Sequence, residues 1–274
     1  MPSPNEITVA QLSRLIGTPD APVIIDVCID DDFEQDPRLV PTSVRHPFTS
    51  IADLAPKLTD KRVVVVCHRG KKLSQGAAAI LRNHGIVAEV LEGGIVAWRE
   101  AGQSLVPAAI LPPRNTDGQT VWVTRHRPKI DRIACPWLIR RFVDPDAQFL
   151  FVAPSEVLAV ADRFNATPFD IEGVHWSHRG EACTFDAMID EFGIASDPLR
   201  HLAKIVRGAD TNRHDLAPEA AGLLAVSLGL SRMYRDDLAQ LDAGMAIYDA
   251  FYRWCRDATD EGHDWPSATS ATKS

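Results

Sequence analysis

Nowhere in this sequence of 274 residues does an apolar run approach the roughly 20 residues that a membrane-spanning helix needs. The opening stretch, Met1-Pro2-Ser3-Pro4-Asn5-Glu6, has neither a basic region nor an apolar one, so no secretory leader is expected. Cysteine is scarce and scattered: Cys28, Cys67, Cys135, Cys183 and Cys255 form an odd set with no close pair. That pattern argues against a disulfide framework and for free thiols in a reducing compartment. Positive charge is not in excess either; a net charge of −8 speaks against a general nucleic-acid binder. These absences leave a cytoplasmic enzyme or binding protein as the expectation, with no membrane partner. The apolar content of 45% and charged content of 24% are ordinary for a globular protein long enough for two domains.

What is present is organised around Cys67-His68-Arg69-Gly70-Lys71-Lys72. The loop follows Val63-Val64-Val65-Val66, four β-branched residues that read as a buried strand. From Ser74 to His84-Gly85 the pattern is helical with a glycine stop. A strand-to-helix loop gathers backbone N–H groups at the positive end of a helix, which favours an anion or a thiolate. Arg69, Lys71 and Lys72 add fixed positive charge. A phosphatase-type loop would need an arginine six positions after the cysteine, and Leu73 stands there without the bidentate phosphate contact.

Around the loop, Thr8 and Gln11 form a capping box, Val23-Ile24-Ile25-Asp26-Val27 reads as a second buried strand, and Ser50 is placed to cap a helix through Leu58. Short strands alternating with helices predict an α/β fold with a mainly parallel sheet flanked by helices, with ligands at the carboxyl ends of its strands. Together with the 67–72 loop, Val23-Ile24-Ile25-Asp26-Val27 and Leu91-Glu92-Gly93-Gly94-Ile95-Val96-Ala97-Trp98 resemble a single rhodanese homology domain, over residues 1–106. The resemblance implies that Cys67 carries a sulfane sulfur as a persulfide. It implies also that His68, Arg69, Gly70, Lys71 and Lys72, with Asp26, bind the substrate. Lys72, at the final loop position, suits an anionic donor such as thiosulfate. Departures from the family pattern are Cys28 where an arginine is usual after Asp-Val, no Gly-His-Ile signature near residues 38–41, and Leu73 in place of serine.

Residues 107–119, with Pro107, Pro112, Pro113 and Gly118, read as a linker. Residues 120–257 read as an α-rich α+β domain. Its strands are expected at 121–124, 148–152 and 174–178, and Asp131 and Thr184 are placed to cap helices. The polar stretch 258–274 reads as a disordered tail. By side-chain type, His178, Glu181 and Asp210 are the candidate ligands for a divalent metal in this half, although no spacing matches a standard zinc motif. The equal alternative makes Asp131, Arg132, Arg140 and Asp210 caps and ion pairs. Trp122-Val123-Thr124-Arg125, Lys129-Ile130-Asp131-Arg132, Ser177-His178-Arg179-Gly180-Glu181 and Val206-Arg207-Gly208-Ala209-Asp210 resemble the C-terminal domain of the chromate-resistance ChrB family. That resemblance implies a part in chromate tolerance or sensing.

Two functions are therefore expected from different classes. One is a sulfurtransferase working through Cys67 with no cofactor, a small anionic sulfur donor and a thiophilic acceptor. The other is a chromate- or metal-binding sensor in which the first domain is a redox or anion-binding module, with chromate taken by the Cys67 loop or by Arg125, Arg132 and Arg179.

Overall fold

The computed structural model describes residues 5–262; of the tail expected over 258–274, residues 263–274 lie outside the described residues, as do residues 1–4. β1 (Glu6–Ile7) leads into α1 (Val9–Leu15), and the capping box forms as its spacing predicts. Thr8 Oγ1 accepts the Gln11 N–H at 3.2 Å while Gln11 Oε1 accepts the Thr8 N–H at 2.9 Å. The chain continues through β2 (Val23–Asp26), the single turn α2 (Asp30–Phe33), β3 (Arg38–Leu39) and β4 (Val44–Arg45). After a 3-10 segment come β5 (Arg62–Val66), α3 (Lys72–Asn83), β6 (Val87–Leu91), α4 (Gly94–Glu100) and β7 (Val106–Pro107).

Strands β1, β6, β5, β2 and β4 lie in that order in one wholly parallel sheet. β5 takes the centre, and Val63, Val64, Val65 and Val66 are all 0% exposed, the reason four β-branched residues run together there. Ser50 does not cap a helix. The 3-10 segment Phe48–Lys57 starts two residues earlier, after Pro47, and is kinked at Ser50 itself, with Pro56 preventing a regular α-helix.

The second half holds β8 (Val121–Arg125), α5 (Asp131–Phe142), β9 (Gln148–Val152), α6 (Val157–Phe164) and β10 (Thr167–Pro168). Four helices follow: α7 (Thr184–Glu191), α8 (Asp197–Asp210), α9 (Ala220–Met233) and α10 (Asp237–Asp257). β10, β8 and β9 make a three-stranded parallel sheet in that order. Its third strand is Thr167–Pro168, and the stretch 174–178 contributes only one bridge, between Phe169 and Trp176. The apolar-polar alternation there comes from one buried tryptophan, stacked on Phe192 at 4.7 Å, rather than from a ladder. β8 alternates in the usual period of two: Val121 and Val123 pack with Val157 of α6, while Trp122 joins the main core.

A single connected hydrophobic cluster runs from Ile7 in β1 to Cys255 in α10, across both halves. Between them the Thr42 N–H donates to the Phe142 carbonyl at 3.0 Å, and Arg14 pairs with Asp257 at 3.3 Å. The segment between the halves is tied down as well: β7 pairs antiparallel with β3, and Arg114 reaches the buried Asp144 at 3.2 Å. Among the described residues, no helix is long and apolar enough to cross a membrane.

Trp137 in α5 sits at the centre of an aromatic group, with ring centroids 5.8 Å from Phe142, 6.3 Å from Phe185 and Tyr248, and 5.5 Å from Tyr252. Its indole N–H donates to Asp249 at 2.8 Å. Trp137→Ala is expected to cost about 3–5 kcal/mol of stability. Urea denaturation should show a lowered midpoint with an unchanged slope; a loss below about 1 kcal/mol would mean that the group does not anchor the second half.

Candidate functional sites

Cys67 directly follows β5, at the carboxyl end of the central strand, where ligands of open parallel sheets bind. It is 4% exposed, and its Sγ lies 3.0 Å from the hydroxyl of Ser74, which is buried in the first turn of α3. That hydroxyl is also placed to donate to the Lys71 carbonyl at 3.2 Å, so the Cys67 S–H can donate to it, or it can turn and donate to a thiolate. α3 begins at Lys72, two residues before the sequence pattern suggests, which brings the end of the loop onto the positive end of the helix.

The first turn of α4 holds the loop's carbonyls. Ile95 N–H donates to the Cys67 carbonyl and Val96 N–H to the His68 carbonyl, both at 3.1 Å. With the carbonyls held, the amides of residues 68–72 donate to no acceptor among the described residues. A cleft of about 410 Å³ opens beside this loop, lined by Cys67, His68, Arg69, Lys71, Lys72, Leu73 and Asp32. Arg69, Lys71 and Lys72 enter no ion pair among the described residues. Free amides, a helix start and three uncommitted cations make this cleft a receptor for a small anion beside a thiol.

Two of the expected substrate-binding residues stand apart from it. Gly70 is buried behind the loop, at φ +64, against the Leu91 carbonyl and the amides of Gly93 and Gly94. Asp26 is 1% exposed and does not line the cleft; its Oδ1 turns back to accept the Cys28 N–H at 2.8 Å, an Asx-type turn closing the end of β2. Burial raises the Asp26 carboxyl above its ordinary range. Where the family pattern has an arginine after Asp-Val, the guanidinium at this end of the sheet comes instead from Arg45 of β4. It donates to the Cys28 carbonyl at 3.1 Å and pairs with Asp30 at 2.7 Å. The other four thiols are poor nucleophiles: burial pushes Cys28, Cys135, Cys183 and Cys255 up, the last to about 12.

A second polar cluster lies at the carboxyl end of the smaller sheet. Asp131 opens α5 after β8, and Asp170 is the second residue after β10. His178 is carried by a tight turn in which Arg179 and Ala182 exchange backbone hydrogen bonds at 2.9 and 3.0 Å. Its Nε2 is 3.5 Å from Asp131 Oδ2, 3.5 Å from Asp170 Oδ1 and 3.3 Å from Asp210 Oδ2 at the end of α8. Thr184 links the two buried carboxylates, its N–H donating to Asp131 Oδ2 at 2.7 Å and its hydroxyl to Asp170 Oδ1 at 3.0 Å. The Asp170 and Asp210 carboxylates, facing the ring nitrogen as acceptors, raise His178 to about 10. Burial, with Asp210 and Asp170 close by, raises Asp131 well above the carboxylate range. Burial acts the same way on Asp170, but His178, Arg132, Thr184 and Arg125 outweigh it and leave that carboxyl low.

Of the expected ligands, His178 and Asp210 come together and Glu181 does not. It is exposed at the tip of the turn, and among the described residues the group of ligand atoms lying within 4.8 Å of one another is Asp131, Asp170 and His178. Asp131 is not a helix cap: Ile130 holds that position, and Asp131 is fully buried behind it. Cys183, not Thr184, is the N-cap of α7, so the Thr184 hydroxyl is free to reach Asp170. Arg125 and Arg132 both pair with Asp170 at 3.2 Å, and Arg179 contacts Glu191. The three arginines expected to dock a tetrahedral anion are thus already committed. Placement at the ends of parallel strands is the signal that could have marked Asp131 and Asp170; the two-residue strand before Asp170 is too short to read from sequence.

Comparison with known proteins places both halves. Residues 8–101 match the family model "Rhodanese-like domain", and residues 122–255 match "ChrB, C-terminal domain". Protein ChrB of Cupriavidus metallidurans is 35% identical over 132 residues, which make up 48% of this chain and 39% of that protein. The chain therefore spans well under half the length of this curated relative. Among solved structures, a rhodanese-related protein from Thermoplasma volcanium is 25% identical, with 37% of this chain and 97% of that chain covered and a TM-score of 0.33. A protein of unknown function from Rhodopseudomonas palustris, described as a possible tyrosine phosphatase, is 26% identical over 37% of this chain and 83% of its own, with a TM-score of 0.34.

Proposed function

We propose that this chain, which joins a rhodanese-like domain to a ChrB C-terminal domain, is a sulfurtransferase that carries sulfane sulfur as a persulfide on Cys67. The observation behind this reading is the cleft itself: one thiol, three uncommitted cations and four lining residues, His68, Arg69, Lys71 and Lys72, whose amides have no acceptor among the described residues, around about 410 Å³. The Cys67 thiolate attacks the sulfane sulfur of thiosulfate. A new Sγ–S bond forms, the S–S bond of the donor breaks, and the electron pair leaves on sulfite. Loop amides and the start of α3 stabilise both the departing dianion and the negative terminal sulfur, with Lys72 and Lys71 at the rim. An acceptor such as cyanide then attacks the terminal sulfur, leaves as thiocyanate and returns Cys67 to the thiolate. No cofactor enters either step.

The second domain sets the biological context. Its likeness to ChrB supports a role in chromate tolerance, and free thiols throughout fit a cytoplasmic setting. Intact-mass measurement of the full chain after thiosulfate treatment tests the chemistry. One added sulfur atom is expected, mapping to Cys67 and to none of the four raised thiols, and removed by cyanide. A chain that takes up no sulfur yet binds chromate in the cleft would overturn the reading in favour of an anion-binding module.

A further inference from the structure

Around His178 Nε2 stand three carboxylate oxygens, at 3.3, 3.5 and 3.5 Å. A ring nitrogen carries at most one hydrogen, which can point at only one of them, and charge-assisted hydrogen bonds are shorter, at about 2.7–2.9 Å. The spacing instead matches the edge of a coordination tetrahedron, about 3.4 Å for ligands about 2.1 Å from a central ion. Asp131 gives a separate indication. Its side chain is buried and directed at His178 through Oδ2, yet its Oδ1 has no hydrogen-bond partner among the described residues. A buried carboxyl oxygen left without a partner is costly unless a proton or a cation completes it.

The surroundings hold these groups in place without filling the centre. Thr184 fixes one oxygen of each buried aspartate, and Arg125 and Arg132 fix Asp170 from its Oδ2 side, leaving Oδ1 toward His178. Ile130, just before Asp131, has φ +39, and this strained backbone is pinned by the Ser227 hydroxyl on its N–H at 3.2 Å and by the Tyr248 hydroxyl on its carbonyl at 3.0 Å. A cleft of about 650 Å³ reaches Asp170 and His178 from solvent.

We infer that Asp131, Asp170 and His178 form a binding site for one divalent first-row metal ion, with the Asp210 carboxylate at its edge. Two carboxylates and an imidazole, with no thiolate, select manganese, iron or zinc over softer ions, and the imidazole disfavours magnesium and calcium. Because the cleft reaches the site, the ion keeps a position open to water or to an anion, as reactive metal sites do and closed structural ones do not. Nothing in this site depends on Cys67.

Calorimetric titration of chelator-treated full-length protein with manganese chloride, zinc chloride and magnesium chloride tests the assignment. One manganese or zinc ion per chain is expected, with magnesium at least about 10-fold weaker. His178→Ala should weaken binding at least about 10-fold. Because His178 is 40% exposed on a turn, that variant should still fold, which a cooperative thermal transition of the metal-free protein would show, whereas Asp131→Asn need not fold. Glu181→Ala should bind as the wild type does. Absence of stoichiometric manganese or zinc binding, unchanged affinity in His178→Ala, or loss of binding in Glu181→Ala would each overturn the site.

Discussion

Cys67→Ser is expected to abolish thiosulfate:cyanide sulfurtransferase activity, by at least about 1,000-fold, or about 4 kcal/mol of barrier. The hydroxyl is a weak nucleophile at neutral pH and forms no persulfide, so the covalent route closes. The substitution is nearly isosteric. Serine in this place keeps a polar contact with Ser74, now 3.0 Å from the sulfur, and the backbone holds from Ile95 and Val96 do not involve the side chain. The variant should therefore unfold at the wild-type denaturant midpoint, which separates lost chemistry from lost structure. Cys28→Ser, at the end of the neighbouring strand and outside the Cys67 cleft, should retain activity within about twofold, since the transfer cycle needs one thiol only. Turnover by Cys67→Ser at the wild-type rate would end the persulfide reading.

The first site was legible because its parts are contiguous. A four-valine strand, a cysteine loop and a helix follow one another in the chain, so local pattern places Cys67 at a strand end without knowledge of the rest. What local pattern misses is the depth of side chains: Asp26 ends the same kind of strand, yet it folds back on the Cys28 amide instead of lining the cleft. The second site is assembled from α5, the second residue after β10, a turn and the end of α8, which are 79 residues apart between Asp131 and Asp210. Residue type marks His178 and Asp210 as candidates, but only the fold shows that Glu181 is exposed outside the ligand group and that Asp131, which reads as an ordinary cap, is buried beside His178. Both sites nevertheless obey one rule, occupying the carboxyl ends of parallel strands in their own sheet.

That rule explains where the cleft is, and Gly94 explains why it keeps its shape. Gly94→Ala is expected to lower sulfur loading of Cys67 at least about 100-fold, since a displacement near 1 Å at a reacting group costs that much. A Cβ at this position would lie 2.1 Å from the Cys67 carbonyl oxygen, 2.4 Å from the Gly70 nitrogen and 2.8 Å from the His68 carbonyl oxygen. All three are backbone atoms, so relief must come from moving the loop or α4, and the holds from Ile95 and Val96 would break with it. Gly94 also has φ +63, which alanine adopts at a cost. Strain and overpacking together should remove about 2–5 kcal/mol of stability. Gly85→Ala separates the two contributions: Gly85 has φ +79 but nothing within 4 Å of a Cβ, so it should lose only about 1 kcal/mol and load sulfur normally. Stopped-time mass spectrometry of thiosulfate-treated variants, beside urea denaturation, reads both quantities. Wild-type loading by Gly94→Ala would show that the Gly93-Gly94 turn does not set the geometry of the cysteine loop, and that the sulfur cradle owes its form to β5 and α3 alone.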